Sequence, residues 1–289
     1  MAKKKPAAAA VTISEEEQQQ VDRANESGKT PVAFVHGLWL LPSSWDPWAQ
    51  YFEKAGFSAV TPGWPDDPET VEEAAAHPEV FARKSIGDIA DHVSQVVGGL
   101  KKRPVVIGHS FGGLLTEMVA GRGLAKASVA ISPAPFRGVL PLPVSALRTA
   151  SVALKNPRNR HRAIPLTFEQ FRYGFANAVS QEEAKELYPK YSVPGPGEPL
   201  FQAAAANFNP WSEDKVDTKA ADRGPMLIIA GEKDHTVPWA IANASYKKQR
   251  RNKNVTEIVK MPGRGHSLTI DNGWKDVADT ALKFLKRYA

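Results

Sequence analysis

The feature of this chain that most constrains its fold is the alternation of short apolar runs with amphipathic stretches. The runs are rich in valine, isoleucine and alanine and end near glycine or proline, which is typical of buried strands. They are PVAFVHG, FSAVTPGW, RPVVIGHS, KASVAISPAP, PMLIIAGEKD and VTEIVKMPGRGH. The stretches between them carry apolar residues at three- and four-residue spacing, as in the helix predicted around Ile86, Ile89 and Val93. The alternation predicts an α/β fold with a mostly parallel central sheet and helices on both faces.

Two parts of the chain depart from this alternation. One is a long stretch rich in proline, aromatic residues and short helical pieces, which we expect to form a helical cap or lid above the carboxyl edge of the sheet. The other is the N-terminus, where a capping box of Ser14 and Glu17 begins a polar, loosely packed helix that Gly28 ends. The predicted division is residues 1–30 as N-terminal tail and polar helix, 31–135 and 225–289 as core, and 136–224 as cap insertion.

A single motif lies between a predicted buried strand and a predicted helix. VVIGHSFGGLLTEM contains the pentapeptide Gly108-His109-Ser110-Phe111-Gly112, which matches the pattern G-x-S-x-G. The glycines permit a sharp turn that lifts the serine hydroxyl off the sheet. A helix that begins at the serine directs its free N–H groups towards developing negative charge. The motif therefore predicts that Ser110 is a nucleophile.

A serine nucleophile needs a general base and a carboxylate that orients the base. Asp234 comes just past the end of a buried strand, and His266 lies in the loop after the next strand. The chain order serine, aspartate, histidine is the order found with this elbow. The rival candidates are Asp66, Asp67 and Asp271 for the acid and His235 for the base. None of the rival aspartates directly ends a buried strand, so we expect Asp234 and His266 to complete the triad.

An oxyanion hole and a substrate pocket are expected around this serine. The N–H of Phe111 and the N–H of Leu38 are the predicted donors, with His36 and Gly37 forming the turn that points the second amide inward. The side chains expected to line the pocket are Trp39, His109, Phe136 and Val237. No metal site is predicted, because the chain has no cysteine, no HExxH and no histidine pair at the spacing of a zinc helix.

These motifs, which extend from His36 to His266, resemble those of the α/β-hydrolase fold superfamily. Within it, the chain is similar to the group of serine esterases and cofactor-free, non-heme haloperoxidase-like proteins. The resemblance implies Ser110 as nucleophile, Asp234 as acid, His266 as base and no cofactor. Only about thirty residues precede the first clear strand, so the two early edge strands of the family are expected to be lost or reduced. Dehalogenases and epoxide hydrolases of this fold carry aspartate where this chain has Ser110.

The resulting hypothesis is a hydrolase that cleaves carboxylic esters of small apolar substrates through an acyl-enzyme on Ser110. A lactonase or perhydrolase with the same triad is the nearest alternative, and amidases, C–C hydrolases and hydroxynitrile lyases share the constellation as well. An alternative of another class is a small-molecule receptor of the same fold with little turnover. The expected partner is thus a small ester or lactone.

Net charge and composition bear on the remaining function classes. The net charge of +6 and a pI near 9.3 suit nucleic-acid binding. The excess, however, lies partly in the N-terminal tail and partly in residues 246–254, where a helix is predicted to end and cations favour its dipole. We therefore expect no nucleic-acid partner. The lack of cysteine, of a secretory signal and of a membrane span predicts a cytoplasmic protein, and its oligomeric state has no sequence signal.

Overall fold

A six-stranded parallel sheet forms the centre of the protein in the computed structural model, which describes residues 12–288. The lysine-rich tail expected at the N-terminus lies outside the described residues. The strands are β1 (Thr30–Val35), β2 (Phe57–Val60), β3 (Val105–His109), β4 (Ala127–Ile131), β5 (Ala163–Ile164), β6 (Gly195–Pro196), β7 (Met226–Gly231) and β8 (Thr256–Met261). Strands β5 and β6 form a separate antiparallel pair. The parallel sheet predicted from the six apolar runs is confirmed.

Helices precede the first strand, follow the last and occupy most of the connections between them. Their bounds are α1 (Glu15–Ser27), α2 (Asp46–Lys54), α3 (Val71–Ala76), α4 (Ile86–Gly98), α5 (Phe111–Gly121), α6 (Val144–Leu154), α7 (Phe168–Gly174), α8 (Gln181–Tyr191), α9 (Glu198–Ala205), α10 (Trp239–Gln249) and α11 (Trp274–Leu285). None of the helices within residues 12–288 has the length and apolar character needed to cross a membrane.

The strand order, β2-β1-β3-β4-β7-β8, creates a crevice beside the elbow. The chain first adds β2 on one side of β1 and then returns to add β3, β4, β7 and β8 on the other side. The order therefore reverses between β1 and β3, and ligands of open α/β sheets bind at the carboxyl end of such a switch point. Val35 of β1 pairs with Gly108 of β3, so the loops that follow the two strands begin at the same level.

Alternating strand residues supply the core on the two faces of the sheet. Ala33 and Val35 of β1 point into an apolar cluster with helices α4, α5 and α10, whereas Val32 and Phe34 point into a second cluster with α2 and α11. The residues of β1, β3, β4 and β7 in these clusters are fully buried, as expected for a parallel sheet covered on both faces, whereas those of the edge strand β8 are only partly buried.

Helix α1 differs from its prediction in how it packs. The capping box of Ser14 and Glu17 and the left-handed Gly28 are present as expected. The helix is not loosely packed, however, because Glu17 is 5% exposed and its Oε1 lies 2.8 Å from His92 Nε2 of α4. The Gly63 N–H donates to the same carboxylate oxygen. Polar residues in a helix do not imply exposure when a partner is buried opposite them.

The segment between β4 and β7 contains α6 to α9 and the β5–β6 pair. Its helices α6 and α9 supply side chains to a cleft at the carboxyl edge of the sheet. Its last part, residues 213–224, returns along α4 and α5, where Glu213 accepts from the Gly87 N–H and Arg103 donates to the Asp222 carbonyl.

Candidate active site

The elbow around Ser110 is a strained turn between β3 and α5. Ser110 has φ of 59° and ψ of −121°, a backbone conformation that side-chain-bearing residues rarely adopt. Its flanking glycine at position 112 is required by contact, because a Cβ there would lie 2.0 Å from the Val35 carbonyl oxygen. The close approach of α5 to β1 fixes the position of the serine, which is 4% exposed.

The structure brings the three predicted triad side chains together from distant parts of the chain. Ser110 Oγ lies 2.9 Å from His266 Nε2, and His266 Nδ1 lies 2.7 Å from Asp234 Oδ2. Both members of the His266–Asp234 pair have fully buried side chains. This is a continuous hydrogen-bonded relay in which the imidazole faces the hydroxyl on one side and the carboxylate on the other, the geometry of a nucleophile with its base.

The second oxygen of Asp234 is held by the backbone that follows it. Oδ1 accepts from the Thr236 N–H at 2.8 Å and from the Val237 N–H at 2.7 Å. With its other oxygen on His266, the carboxylate has no freedom to rotate. The loop between β7 and α10 thus positions the acid through its own amides, a local arrangement typical of aspartate in turns.

Two aromatic rings enclose the imidazole of His266. The Phe175 ring packs edge-on at 4.8 Å between centroids, and the His109 ring lies at 4.5 Å. Burial and the neighbouring His266 hold the pKa of His109 well below its usual value, so this ring is neutral near pH 7. Neither ring nitrogen of His109 has a hydrogen-bond partner in the described part of the chain. His109 therefore packs behind the relay as an apolar ring would.

The loop after β1 places a backbone amide beside the elbow. A Cβ on Gly37 would lie 2.8 Å from Ser110 Cβ and 3.4 Å from the Phe111 nitrogen, so only glycine permits this approach. Across residues 12–288, neither the Leu38 N–H nor the Phe111 N–H donates to a backbone carbonyl. Both amides therefore lack a backbone acceptor close to the Ser110 elbow, and their role as oxyanion donors stays a prediction.

A buried charge cluster lies behind this loop. His36 Nδ1 donates to the Gly37 carbonyl at 3.0 Å, while its Nε2 lies 3.0 Å from Asp67 Oδ2. The ammonium of Lys84 lies 3.0 Å from Asp67 Oδ1, and the His36 ring stacks on Trp64. Burial raises the pKa of Asp67, but the contacts with His36 and Lys84 outweigh it and hold that pKa below its usual value.

The rival acids and base of the sequence analysis have other partners. Asp67 belongs to the His36 cluster just described, and Asp271 contacts Arg264 and accepts from Ser267 Oγ. His235 Nδ1 contacts the Tyr173 carbonyl oxygen at 3.0 Å and does not reach Ser110. Asp66 is exposed. Asp234 and His266 are thus the pair that reaches the serine.

An apolar cleft opens over Ser110. It encloses about 770 Å³ of empty space, part of it open to solvent. Its wall includes Leu38 and Phe111 beside the nucleophile and, from α6 and α9, Ala146, Leu147, Leu154, Leu200 and Ala203. Among the described residues that line the cleft, none carries a charge. The arrangement suits a neutral ligand with apolar groups.

Two of the four predicted pocket residues line this cleft and two do not. Trp39 and Val237 lie on its wall, and Trp39 Nε1 donates to the Ile164 carbonyl, which ties the wall to β5. Phe136 is instead 3% exposed and packs into the core cluster, because its ring turns inward after β4. His109 lies behind His266, because side chains of a strand alternate between faces and that of His109 points away from the cleft.

Sequence reasoning missed the contributions of Asp67 and Lys84 to the site. Both lie in loops without periodicity, and the contacts of Asp67 with His36 and with Lys84 join segments that are far apart in sequence. The only hint in the sequence was a pair of polar residues near an apolar loop that contains tryptophan. Such a pattern is too common to predict a contact with the active site. Within residues 12–288, no group of three or more histidine, aspartate or glutamate side chains is arranged to hold a metal ion.

Comparison with known proteins places the fold among the hydrolases. A sequence model described as the Alpha/beta hydrolase family matches residues 32–280. The thermostable monoacylglycerol lipase of Bacillus sp. (strain H-257) is 24% identical over 267 residues, which cover 91% of this chain and 93% of the relative.

Solved structures of similar fold include proteins from two further organisms. The monoacylglycerol lipase of Paleococcus ferrophilus has a TM-score of 0.63 and 17% identity, covering 90% of this chain and 95% of its own. A structure from work on carboxylesterases of Nitrososphaera gargenis has a TM-score of 0.60 and 17% identity, with coverages of 91% and 92%. At these identities the likeness is one of fold, and it confirms the α/β-hydrolase architecture.

Proposed function

The chain belongs to the alpha/beta hydrolase family, and on that premise we propose that it hydrolyses carboxylic esters through an acyl-enzyme on Ser110. The observation that carries the proposal is the unbroken relay from Ser110 through His266 to Asp234 at the floor of an apolar cleft. The lipase and carboxylesterase names of its relatives support the same reaction class.

In the first step Ser110 acts as the nucleophile. Its Oγ forms a bond to the ester carbonyl carbon while the hydroxyl proton passes to His266 Nε2, and the carbonyl electron pair moves onto oxygen. Asp234, which accepts from Nδ1–H, holds the imidazole in the tautomer that receives this proton and stabilises the cation that results.

The negative charge that develops on the carbonyl oxygen requires donors. The Leu38 and Phe111 amides are proposed for this role, because both lie beside the elbow with no backbone acceptor of their own among the described residues. Loss of one such donor typically costs about 3 kcal/mol of transition-state stabilisation. The N-terminal end of α5 adds its dipole to the same site.

The tetrahedral adduct then collapses and the acyl group leaves in a second half-reaction. The C–O bond to the alcohol breaks, and His266 returns the proton to the departing alkoxide oxygen. Water then attacks the acyl carbon while His266 removes its proton, and Ser110 Oγ leaves with that proton, so the enzyme is regenerated.

We further propose that residues 136–224 act as a cap that selects substrates with apolar groups. Support comes from the uncharged side chains of α6 and α9 that line the cleft above Ser110. A lactone, being an internal ester, meets the same requirements, and lactone hydrolysis is therefore the second candidate activity. A cytoplasmic setting, expected from the lack of cysteine, is part of the same proposal.

The test is hydrolysis of p-nitrophenyl esters of increasing acyl length, a monoacylglycerol and a γ-lactone by three proteins. Wild type and Ser128→Ala are expected to cleave the esters, and Ser110→Ala is expected to lose at least about a thousandfold in kcat/KM. Ser128 is the matched control, because it is fully buried on the neighbouring strand β4 and its hydroxyl has no partner among the described residues.

The outcomes separate the candidate functions. Equal activity of wild type and Ser110→Ala would refute the serine mechanism. A lack of turnover by wild type, combined with tight and saturable binding of an apolar small molecule, would favour a receptor of this fold. Cleavage of the lactone alone would make the second candidate the function.

A further inference from the structure

Large exposed apolar side chains are concentrated in one part of the surface. Within residues 12–288, seven large hydrophobic side chains are exposed, and six of them fall in two short segments. These six, which we call the mouth surface, are Leu140, Leu142, Val144, Leu147, Phe208 and Trp211. The last two are 90% and 84% exposed. A soluble monomer rarely leaves such a set together unless the set binds something.

Hydrogen bonds hold the two segments side by side. Asn207 accepts from the Gly138 N–H and donates to the Val139 carbonyl, and Arg137 donates to the Pro210 carbonyl. The loop before α6 and the loop after α9 are thus fastened to each other. The exposed side chains on these two loops, together with Val144 and Leu147 at the start of α6, are thereby held close to one another.

This surface is continuous with the cleft. Leu142 is 68% exposed and Leu147 is 47% exposed, and both also line the cleft that leads to Ser110. A molecule that enters the cleft between these side chains therefore passes across the mouth surface.

The charge of the surrounding sequence has one sign. Residues 136–168 contain six lysines and arginines and no aspartate or glutamate. They are Arg137, Arg148, Lys155, Arg158, Arg160 and Arg162. Among the described residues, only Arg160 of these six is within ion-pair distance of a carboxylate, that of Glu198. Arg137 and Arg148 adjoin the mouth surface in sequence, whereas the other four cations follow the far end of α6, next to the start of α9. Arg137 also interacts electrostatically with Asp214.

We propose that the mouth surface docks on a lipid–water surface that carries anionic headgroups. Exposed leucine, valine and aromatic side chains enter the boundary between headgroups and acyl chains, and lysine and arginine beside them contact the anionic groups. Single-stranded nucleic acid fits less well, because it needs stacking platforms and four of the six side chains are aliphatic.

Docking in this orientation turns the cleft towards the lipid. An ester dissolved in the membrane then reaches Ser110 without crossing water. The delivery of a membrane-dissolved ester to Ser110 rests on the proposed ester hydrolysis, whereas docking on the lipid surface does not. Docking is therefore measured on the Ser110→Ala protein.

The experiment measures partition of full-length Ser110→Ala onto vesicles of phosphatidylcholine, with and without phosphatidylglycerol. Binding is expected with phosphatidylglycerol and is expected to weaken as salt rises. Adding Leu140→Ser, Val144→Ser, Phe208→Ser and Trp211→Ser, which are exposed and outside the cleft wall, is expected to lower partition at least about tenfold. Adding instead Lys155→Gln, Arg158→Gln and Arg162→Gln is expected to lower it by a similar factor on the anionic vesicles only.

One control replaces cations of the other basic cluster, in residues 246–254. A second compares the quenching of Trp211 by lipid with that of the buried tryptophans. Lys247→Gln, Arg250→Gln and Arg251→Gln remove three exposed cations near the end of α10 and are expected to leave partition unchanged. Brominated phospholipid is expected to quench tryptophan emission of the parent protein, and Trp211→Phe is expected to remove most of that quenching.

Three results would overturn the proposal. The first is no partition of the parent protein onto either vesicle, and the second is equal loss in the α10 control. The third is a dimer in sedimentation that the four serine substitutions convert to a monomer, since the mouth surface would then be an interface between two copies. Binding of the parent protein to RNA without binding to vesicles would overturn the proposal in the same way as the first result. Vesicle binding combined with failure of ester hydrolysis would refute the proposed function and leave the docking surface standing.

Discussion

Asp67 is a residue that acts on the proposed oxyanion site without touching it. Its Oδ2 lies 3.0 Å from His36 Nε2, at ion-pair distance, and Nδ1 of the same ring donates to the Gly37 carbonyl. That carbonyl and the Leu38 N–H belong to one trans peptide plane and point in opposite directions. Fixing the carbonyl therefore fixes the direction of the amide that is proposed to bind the oxyanion. Asp67 is thus a positioning residue.

Asp67→Asn is expected to lower kcat by about ten- to a hundredfold with little change in KM, less than the loss of a whole oxyanion donor. The amide keeps the shape of the carboxylate but weakens its hold on His36, and the transition state suffers more than the bound ester. The measurement is steady-state hydrolysis of a soluble ester by protein shown to be folded by near-ultraviolet circular dichroism. Asp66→Asn, at the exposed neighbouring position, is the control and should be neutral. A rise in KM without a fall in kcat for Asp67→Asn would show that Asp67 serves substrate binding instead.

Individual site residues were predictable from the sequence to the extent that strand ends determine them. Asp234 and His266 were placed by the rule that loops after parallel strands meet at one edge, and they meet Ser110 there. The direction of a side chain in an irregular loop follows no such rule. Phe136 was expected in the pocket and packs in the core. Its local sequence does not indicate which way a side chain points in the irregular loop after β4.

At the scale of elements, the approach of the β1 loop to the elbow decides whether two amides converge. Gly37→Ala adds a Cβ that would lie 2.8 Å from both the His109 carbonyl oxygen and Ser110 Cβ. Backbone on one side and the nucleophile on the other leave no flexible atom to give way. The loop is expected to withdraw, and kcat/KM is expected to fall by about a hundredfold or more, since one oxyanion donor is lost.

The matched glycine for this test is Gly98 at the end of α4, where an added Cβ meets nothing within 4 Å. Gly98→Ala is expected to keep full activity and to gain up to about 1 kcal/mol in the free energy of unfolding. Parallel assays of the two variants separate a local displacement from a general effect of replacing glycine. Full activity in Gly37→Ala would contradict the proposed role of the Leu38 amide.

The end of a helix that carries a clear capping signal was predicted closely from the sequence, whereas the packing of that helix against the rest of the protein was not. The capping box of Ser14 and Glu17 fixed where α1 begins. Its burial depends on His92, which is far away in sequence, so the polar sequence of the helix wrongly suggested loose packing. Capping is a local interaction and can be read from neighbours, whereas a buried polar pair requires knowledge of the tertiary contact.

At the scale of the whole molecule, the alternation of strands and helices was sufficient to predict the sheet, because burial on both faces leaves a sequence pattern. The distribution of charge was harder. The basic excess was expected partly in the N-terminal tail and partly in residues 246–254, yet residues 136–168 alone carry six cations and no acid. Those cations are dispersed among apolar residues, so no short window appears basic. The folded protein shows that all of them except the half-buried Arg137 are exposed, on α6 and the segment that follows it.

A buried carboxyl group on α5, the helix that follows Ser110, is expected to make the stability of the whole protein depend on pH. Glu117 of α5 is fully buried, with Oε1 accepting from Ser245 and Gln249 of α10 and Oε2 without a partner among the described residues. Burial raises the pKa of Glu117 to about 7, although these hydrogen bonds and the charge of Arg223 oppose the rise. In the unfolded chain the same group titrates near 4.5.

The sign of the effect on stability follows from these two values. Below pH 4.5 the group is protonated in both states and has no pH-dependent effect. Between pH 4.5 and 7 the unfolded chain releases the proton and the folded protein keeps it, so the free energy of unfolding falls as pH rises. The fall amounts to about 3 kcal/mol and ends above pH 7, where both states are ionised.

Glu117→Gln removes this titration while keeping an acceptor for Ser245 and Gln249. The difference in unfolding free energy between the variant and wild type is expected to shift in favour of the variant by about 3 kcal/mol from pH 4.5 to pH 8. Urea denaturation followed by tryptophan emission at several pH values measures it. Because other groups titrate equally in both proteins, their contributions cancel in the difference. A difference independent of pH would show that Glu117 is ionised at all these pH values in the folded protein, which would mean that Arg223 and the α10 side chains stabilise its charge more than burial penalises it.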